Sequence, residues 1–249
     1  MQTTLPPPSV ALASLFRADL TTQWRNRKSS IMVILVPVII LISWKGLVSK
    51  IGAAYVLSNC ITVGVTAIGL MGYTIAISRD RDKGIFQRLR VAPLPTWSIM
   101  TSRLLVQMVM IILMTLAVFA AGYYFDKISL SPAGYALTLL TAIMSGALYL
   151  SLGQIIVGLI KNPETVNATT RLVYFAFIMV GMFGELGVLG DEMKNAVNWS
   201  PYGTVNHILA ASLQPALWTS QTSMALLATI GYTVVFASLG IKWFRWSPR

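Results

Sequence analysis

Polar and apolar positions in this chain are segregated into long blocks. Six apolar runs, at 31–48, 52–78, 104–124, 133–160, 172–190 and 224–244, are separated by polar segments. An α-helix needs roughly 20 apolar residues to cross a hydrocarbon core about 30 Å thick. Within that core each backbone N–H and C=O must be satisfied inside its own segment, which a helix achieves. The pattern therefore predicts an all-α integral membrane protein, with six transmembrane helices in one domain over 1–249. The second and fourth runs exceed the minimum, so tilt or helix continuing past the lipid is expected. The first run carries Pro37 and closes with Trp44 and Lys45.

A different periodicity precedes the first run. Pro6, Pro7 and Pro8 can precede a helix but not sit within one, and Ser9 follows as the expected N-cap. Leu12, Phe16, Leu20 and Trp24 then recur every four residues, on one helical face. Arg17, Asp19, Gln23 and Arg25 are expected to point elsewhere. This predicts an amphipathic helix over 9–28 lying in the membrane interface, its arginines near lipid phosphates. A helix packed on other parts of the same protein is the alternative.

Composition sharpens the class. Apolar residues make up 55% of the chain and charged residues 11%, against about 25% charged in soluble domains, and the mean hydropathy is +0.70. A soluble enzyme or DNA-binding domain is excluded, because too little polar surface exists to cover a globule in water. The net charge of +11 has a simpler source than nucleic acid. With the N-terminus inside, the segment before run one, the segments between runs two and three and between four and five, and the tail from Lys242 onward hold 15 of the 19 Lys and Arg residues. Lys45, Lys50, Lys127 and Lys194 remain outside. This asymmetry predicts a multi-pass inner (cytoplasmic) membrane protein with both termini cytoplasmic. No cleavable signal peptide is expected, and a single cysteine, Cys60, permits no internal disulfide.

The segment 79–95 holds the densest charge. Arg79, Asp80, Arg81, Asp82 and Lys83 alternate in sign, Gly84 follows, and Ile85, Phe86 and Leu89 then occupy i, i+1 and i+4. These three are expected to form an apolar patch on a short helix, rimmed by Arg81, Arg88 and Arg90 and stopped by Pro93 and Pro95. An apolar knob with a charged rim suits docking into a cleft on another protein. A solvated, topogenic linker needs none of these features.

The order of residues from Asp80 to Pro93 resembles the first cytoplasmic loop of the permease subunits of type-two ABC exporters, the type V exporter fold. That loop reads roughly E-R-E-x-G-T-L-E-x-L-x-V-T-P. Asp80 and Asp82 stand where the family has Glu, Ile85 where it has Thr, and Gln87 where it has Glu. Six spans, the preceding amphipathic helix and the long second-to-third loop extend the resemblance over nearly the whole chain. So does the segment from Asn198-Trp199-Ser200-Pro201-Tyr202 to Leu213, which is similar to the family's short re-entrant helices between spans five and six. The resemblance implies that Asp80, Arg81, Asp82, Gly84, Ile85, Phe86, Arg88 and Leu89 couple the chain to a separate ABC ATPase subunit, present in two copies. It also implies a second copy of this chain or a related permease, and ATP and magnesium on the ATPase.

Other candidates are sparse. No G-x-x-x-x-G-K-[ST] loop occurs, so no cofactor or ATP site is expected in this chain, and no metal-ligand spacing is present. Glu185 is the one acid within an apolar run. Such a group faces protein or water rather than lipid, lining a substrate path or pairing with Lys45 or Lys194, unless the helix ends sooner and leaves it near the headgroups. Gly181, Gly184, Gly187 and Gly190 recur every three residues around it, which suits close helix approach beside a substrate path or simple packing. His207, the single histidine, reads as a polar residue near the interface. The expected function is export of a lipophilic or amphipathic molecule, a drug, lipid or glycolipid, from the cytoplasm or inner leaflet, with no catalytic residue in this chain. An ion-coupled carrier or a membrane-embedded enzyme acting without an ATPase is the alternative.

Overall fold

The structure, a computed structural model, describes residues 7–91, 96–188 and 190–244, with backbone alone for residues 27–29, 90, 91 and 96. Among the described residues every regular element is helical. Helix α1 spans Pro8–Arg25, α2 Arg27–Ser43, α3 Lys45–Ile51 and α4 Ala53–Thr66. A π-helical turn, Ala67–Gly72, joins α4 to α5, Tyr73–Asp82, within one continuous helix. Then follow α6 (Ile85–Val91), α7 (Thr96–Asp126), α8 (Pro132–Leu159), α9 (Pro163–Glu185), α10 (Asp191–Asn198), α11 (Pro201–Leu213) and α12 (Ser220–Trp243). Pro93 and Pro95, expected to stop the short helix, lie outside the described residues, as do Arg245, Trp246 and Arg249.

Among the described residues, five helices are long and apolar enough to cross a membrane: Ala53–Asp82, Trp97–Asp126, Pro132–Leu159, Pro163–Glu185 and Ser220–Trp243. A sixth is reached if α1 and the following Ser30–Ser43, bent by 64°, count as one span. The first apolar run is not the single helix expected. Its α2 has 17 residues, and the backbone turns at Trp44 (φ −95°, ψ 12°) before α3 begins. The fifth helix also differs from the run 172–190. It begins at Pro163 because Asn162 caps it, its side-chain oxygen accepting from the N–H of Glu164 at 2.8 Å. Pro at the first position and Glu in the first turn complete that start. It ends at Glu185, and Gly187 and Gly190 lie beyond it with φ of 74° and 92°.

The continuous helix α4–α5 is the centre of the bundle. Its most apolar window is 78% buried, against 17% for α9 and for α12. Around it stand α2, α7, α8, α9 and α11, with α12 laid along α8. The π-turn lies where α8 crosses closely. A Cβ at Gly69 would come within 2.9 Å of Tyr149 Cβ and 3.2 Å of the Leu150 nitrogen. Gly69 thus permits a backbone approach that a larger residue would block, and α8 wedges against the middle of the central helix.

Helix α1 packs along the start of α7. Its cap is Pro7 rather than Ser9, with Pro8 as the first helical residue; the fixed φ of proline suits that position. Leu12, Phe16 and Leu20 are half-buried and Trp24 is exposed. Asp19 and Gln23, expected to point away, face the bundle instead. Asp19 Oδ1 lies 3.4 Å from Arg103 Nε, and its other oxygen accepts from the Ser102 hydroxyl. The charged pair overrides the simple four-residue stripe.

Candidate functional site

Two groups of residues stand out, at opposite ends of the bundle. At the first end, α5 runs into α6 through a turn at Gly84 (φ 67°), a conformation that favours glycine. Arg81, at the last turn of α5, is 3% exposed. Its Nη1 donates to the Val157 carbonyl at 2.6 Å, and its Nη2 to the carbonyls of Ile160 and Lys161 at 2.7 and 3.1 Å. These carbonyls lie in the last turn of α8 and just past its end at Leu159, where a cation also meets the negative end of the helix dipole. Asp80 Oδ2 takes Arg103 Nη2 at 2.9 Å, so Arg103 bridges α5 to α1. Asp82 is exposed on the opposite side.

The apolar face of α6 is not open as expected. Phe86 is fully buried and belongs to the core. Its ring meets Phe244, just past α12, edge to face at 6.1 Å between centroids. Leu89 packs against the same core, and Ile85 is half-buried. Among the described side chains of α6, Gln87 and Arg88 are exposed, as are Asp82 at the end of α5 and Lys83 in the turn. Burial of one fully apolar ring stabilises by roughly 1.5–3 kcal/mol. A seven-residue helix has too few turns to persist alone, so the apolar face goes to the bundle that holds it. The outward face is polar.

At the other end, α4, α9 and α11 share a polar network. Asn206 Nδ2 donates to Glu185 Oε2 at 2.5 Å, and its Oδ1 lies 3.4 Å from the Thr62 hydroxyl. The Tyr202 hydroxyl donates to Asn59 Oδ1 at 2.8 Å, and Asn59 Nδ2 to the Tyr55 carbonyl at 3.0 Å. Asn59, Thr62, Tyr202 and Asn206 are all buried. Glu185 therefore ties the end of α9 to α11 through Asn206, which also reaches α4. It contacts neither Lys45 nor Lys194 as a salt bridge among the described residues. His207, on α11, has its Nε2 3.2 Å from Thr222 Oγ1 on α12.

The four glycines divide by role. A Cβ at Gly181 would collide with the Tyr202 ring, and one at Gly184 would come within 2.6 Å of Val197 Cγ2. These two are helical and allow α10 and α11 to lie against α9. Gly187 and Gly190 instead make the turns that lead into α10. The expectation of four stacked glycines on one helix is corrected, because the helix stops at Glu185.

Sequence reasoning misses Asn59, an uncharged polar residue inside the second apolar run, and Asn206, which lies between the fifth and sixth runs. Arg103 was counted for topology alone, yet it carries the ion pairs of this chain among the described residues. Ser200 and Pro201 announce the start of α11: the Ser200 hydroxyl oxygen accepts from the Gly203 N–H at 3.2 Å.

Residues 10–213 match the family model described as ABC-2 type transporter. No curated protein matches the chain.

Proposed function

The chain belongs to the ABC-2 type transporter family, as the membrane-embedded permease subunit that associates with an ABC ATPase, and from that premise we propose that it is half of an exporter. Two permease copies, or one and a related chain, would sit on two ATPase subunits that bind ATP and magnesium. The substrate would be lipophilic or amphipathic, a drug, lipid or glycolipid-like molecule leaving the cytoplasm or inner leaflet. The end bearing α6 would face the cytoplasm, in line with the basic asymmetry of the sequence.

The observation that carries this reading is the way α6 is built in. It meets the end of α12 through Phe86 and Phe244, and its preceding turn holds the end of α8 through Arg81. A push on its exposed Gln87–Arg88 face would thus be delivered to two spans at once, a rigid-body mode of transmission. Those spans and α4 support α11, which carries Tyr202 and Asn206. Movement at the first end would reach the polar network around Glu185 through packed helices, with Glu185, Gly184 and Gly187 beside the substrate path.

The experiment is capture of the chain from native membranes in mild detergent. A co-purifying polypeptide with a G-x-x-x-x-G-K-[ST] loop, in equal number, together with ATP-dependent loss of lipophilic dye from loaded vesicles, is the expected result. Full transport by the chain alone, driven by an ion gradient, would replace this reading with that of a secondary carrier.

A further inference from the structure

A cavity of about 450 Å³ lies in the half of the bundle that bears α6. Its back wall is α8, with Leu150, Ser151 and Gln154; α7 and α12 flank it, both packed on α8 and leaving a gap between them. The gap opens sideways, where Trp97 and Ile241 are 55% and 77% exposed. In a membrane-embedded bundle the sideways direction is the bilayer. The volume falls within the roughly 300–1,000 Å³ typical of small-molecule sites.

The lining is graded. Most of it is apolar, with Met100, Leu104, Leu150 and Ala237 among the walls. Its polar contribution centres on Gln154, whose Oε1 accepts from the buried Tyr73 hydroxyl at 2.6 Å. That bond fixes the carboxamide by its oxygen, so its N–H₂ group is the donor available to a ligand. Depth decides which ligand atom that donor meets. Helix α8 has 28 residues and is about 42 Å long at 1.5 Å per residue. A hydrocarbon core of about 30 Å leaves roughly 6 Å of interface at each end. Gln154 is five residues from the end of α8 at Leu159, about 8 Å in. This is the boundary between headgroups and hydrocarbon, the level of the ester carbonyls of a glycerophospholipid. Leu150 lies a further turn inward, at the level of the acyl chains.

We propose that this groove is a binding site for one acyl chain of a bilayer phospholipid, with an ester carbonyl accepting from Gln154 and the chain lying between α7 and α12. The site is distinct from the polar network around Glu185. It rests on the reading of the chain as a membrane permease and not on the direction or substrate of transport. Phe244 lines the groove and also holds Phe86, so the bound chain touches the residue on which α6 is seated.

The test uses the intact permease, with any co-purifying subunits, in phosphatidylcholine–phosphatidylglycerol vesicles. These contain a trace phospholipid with a photoactivatable diazirine midway along one chain. Adducts are mapped by peptide mass spectrometry after illumination. Segments 97–104, 150–154 and 237–244 should carry on the order of tenfold more adduct than the exposed α9 face at Leu172 and Phe175, the excess given by one decade of affinity over surrounding lipid. Ala237→Trp, which fills the groove, should bring labelling down to the α9 level, and Ser151→Phe should do the same from the opposite wall. Equal labelling of groove and α9 in the unmodified protein, adducts to another polypeptide in place of lipid, or labelling unaffected by both substitutions would overturn the proposal. No step depends on ATP hydrolysis or transport, so failure here is separable from failure of the exporter reading.

Discussion

Phe86→Ala isolates what seats α6. The ring is fully buried and meets Phe244 edge to face. Truncating a buried phenylalanine to alanine costs about 3–5 kcal/mol, of which an aromatic pair accounts for about 0.5–1.5 kcal/mol beyond area burial. The loss falls on a seven-residue helix, not on the long spans. At the lower limit the detached population of α6 should rise about a hundredfold, since 1.4 kcal/mol is a factor of ten. Arg88→Ala removes an exposed side chain and should change the seating by no more than about 0.5 kcal/mol. The two variants therefore divide seating from docking. Trypsin cleavage after Arg88 in vesicles reports the open population when reclosing is fast. It should accelerate about a hundredfold in Phe86→Ala, and Phe86→Leu, which keeps most of the buried apolar area, should restore most of the protection. In Arg88→Glu, association with the ATPase should weaken while the cleavage-resistant seating is measured at a nearby unchanged arginine. Unchanged protection in Phe86→Ala would refute the argument that the apolar face of α6 is spent inside the permease.

Arg81→Ala should lower the melting temperature far more than Arg79→Ala, because three carbonyls at the end of α8 lose a charged donor worth about 1.5–3 kcal/mol per bond, whereas Arg79 is exposed; equal shifts in a thermal unfolding assay would remove the capping role. Glu185→Gln can still accept from Asn206 through its amide oxygen, so the amount of protein should stay unchanged while transport falls; full transport would confine Glu185 to packing. Gly184→Leu should reduce assembly through collision with Val197, at about 1–3 kcal/mol for overpacking, whereas at Gly187 the left-handed φ decides, so Gly187→Asn should be tolerated better than Gly187→Leu; the amount of monodisperse protein measures both. Cysteines placed at Lys127 and Lys194 should label from outside intact cells and those at Lys83 and Lys161 should not, as the basic asymmetry requires; external labelling at Lys83 would invert the topology.

The long blocks of apolar residues were enough to read the helical class, because the need to satisfy every backbone group in lipid leaves few other structures. What they could not carry was the direction in which a short amphipathic helix turns its apolar face. Ile85, Phe86 and Leu89 have the spacing of a docking knob, yet the same spacing serves equally to seat the helix on its own bundle. The choice depends on Phe244, more than a hundred and fifty residues away in the chain. Asp19 was hidden for a similar reason: its partner Arg103 lies on another helix, and a local face rule has no term for such a pair. The end of α9 was misread because hydropathy continues smoothly past Glu185 while the backbone turns at Gly187 and Gly190. At that end the polar network is part of the packing between helices. Asn206 binds Glu185 from a helix that itself lies on α4, α8 and α12, so any shift of those spans moves the donor relative to the carboxylate at the end of α9. The bond is 2.5 Å long, so it is lost only when the two groups move apart by about 1 Å. On the rigid-body movement proposed above, the Glu185–Asn206 contact is where a shift of those spans would reach a buried polar group.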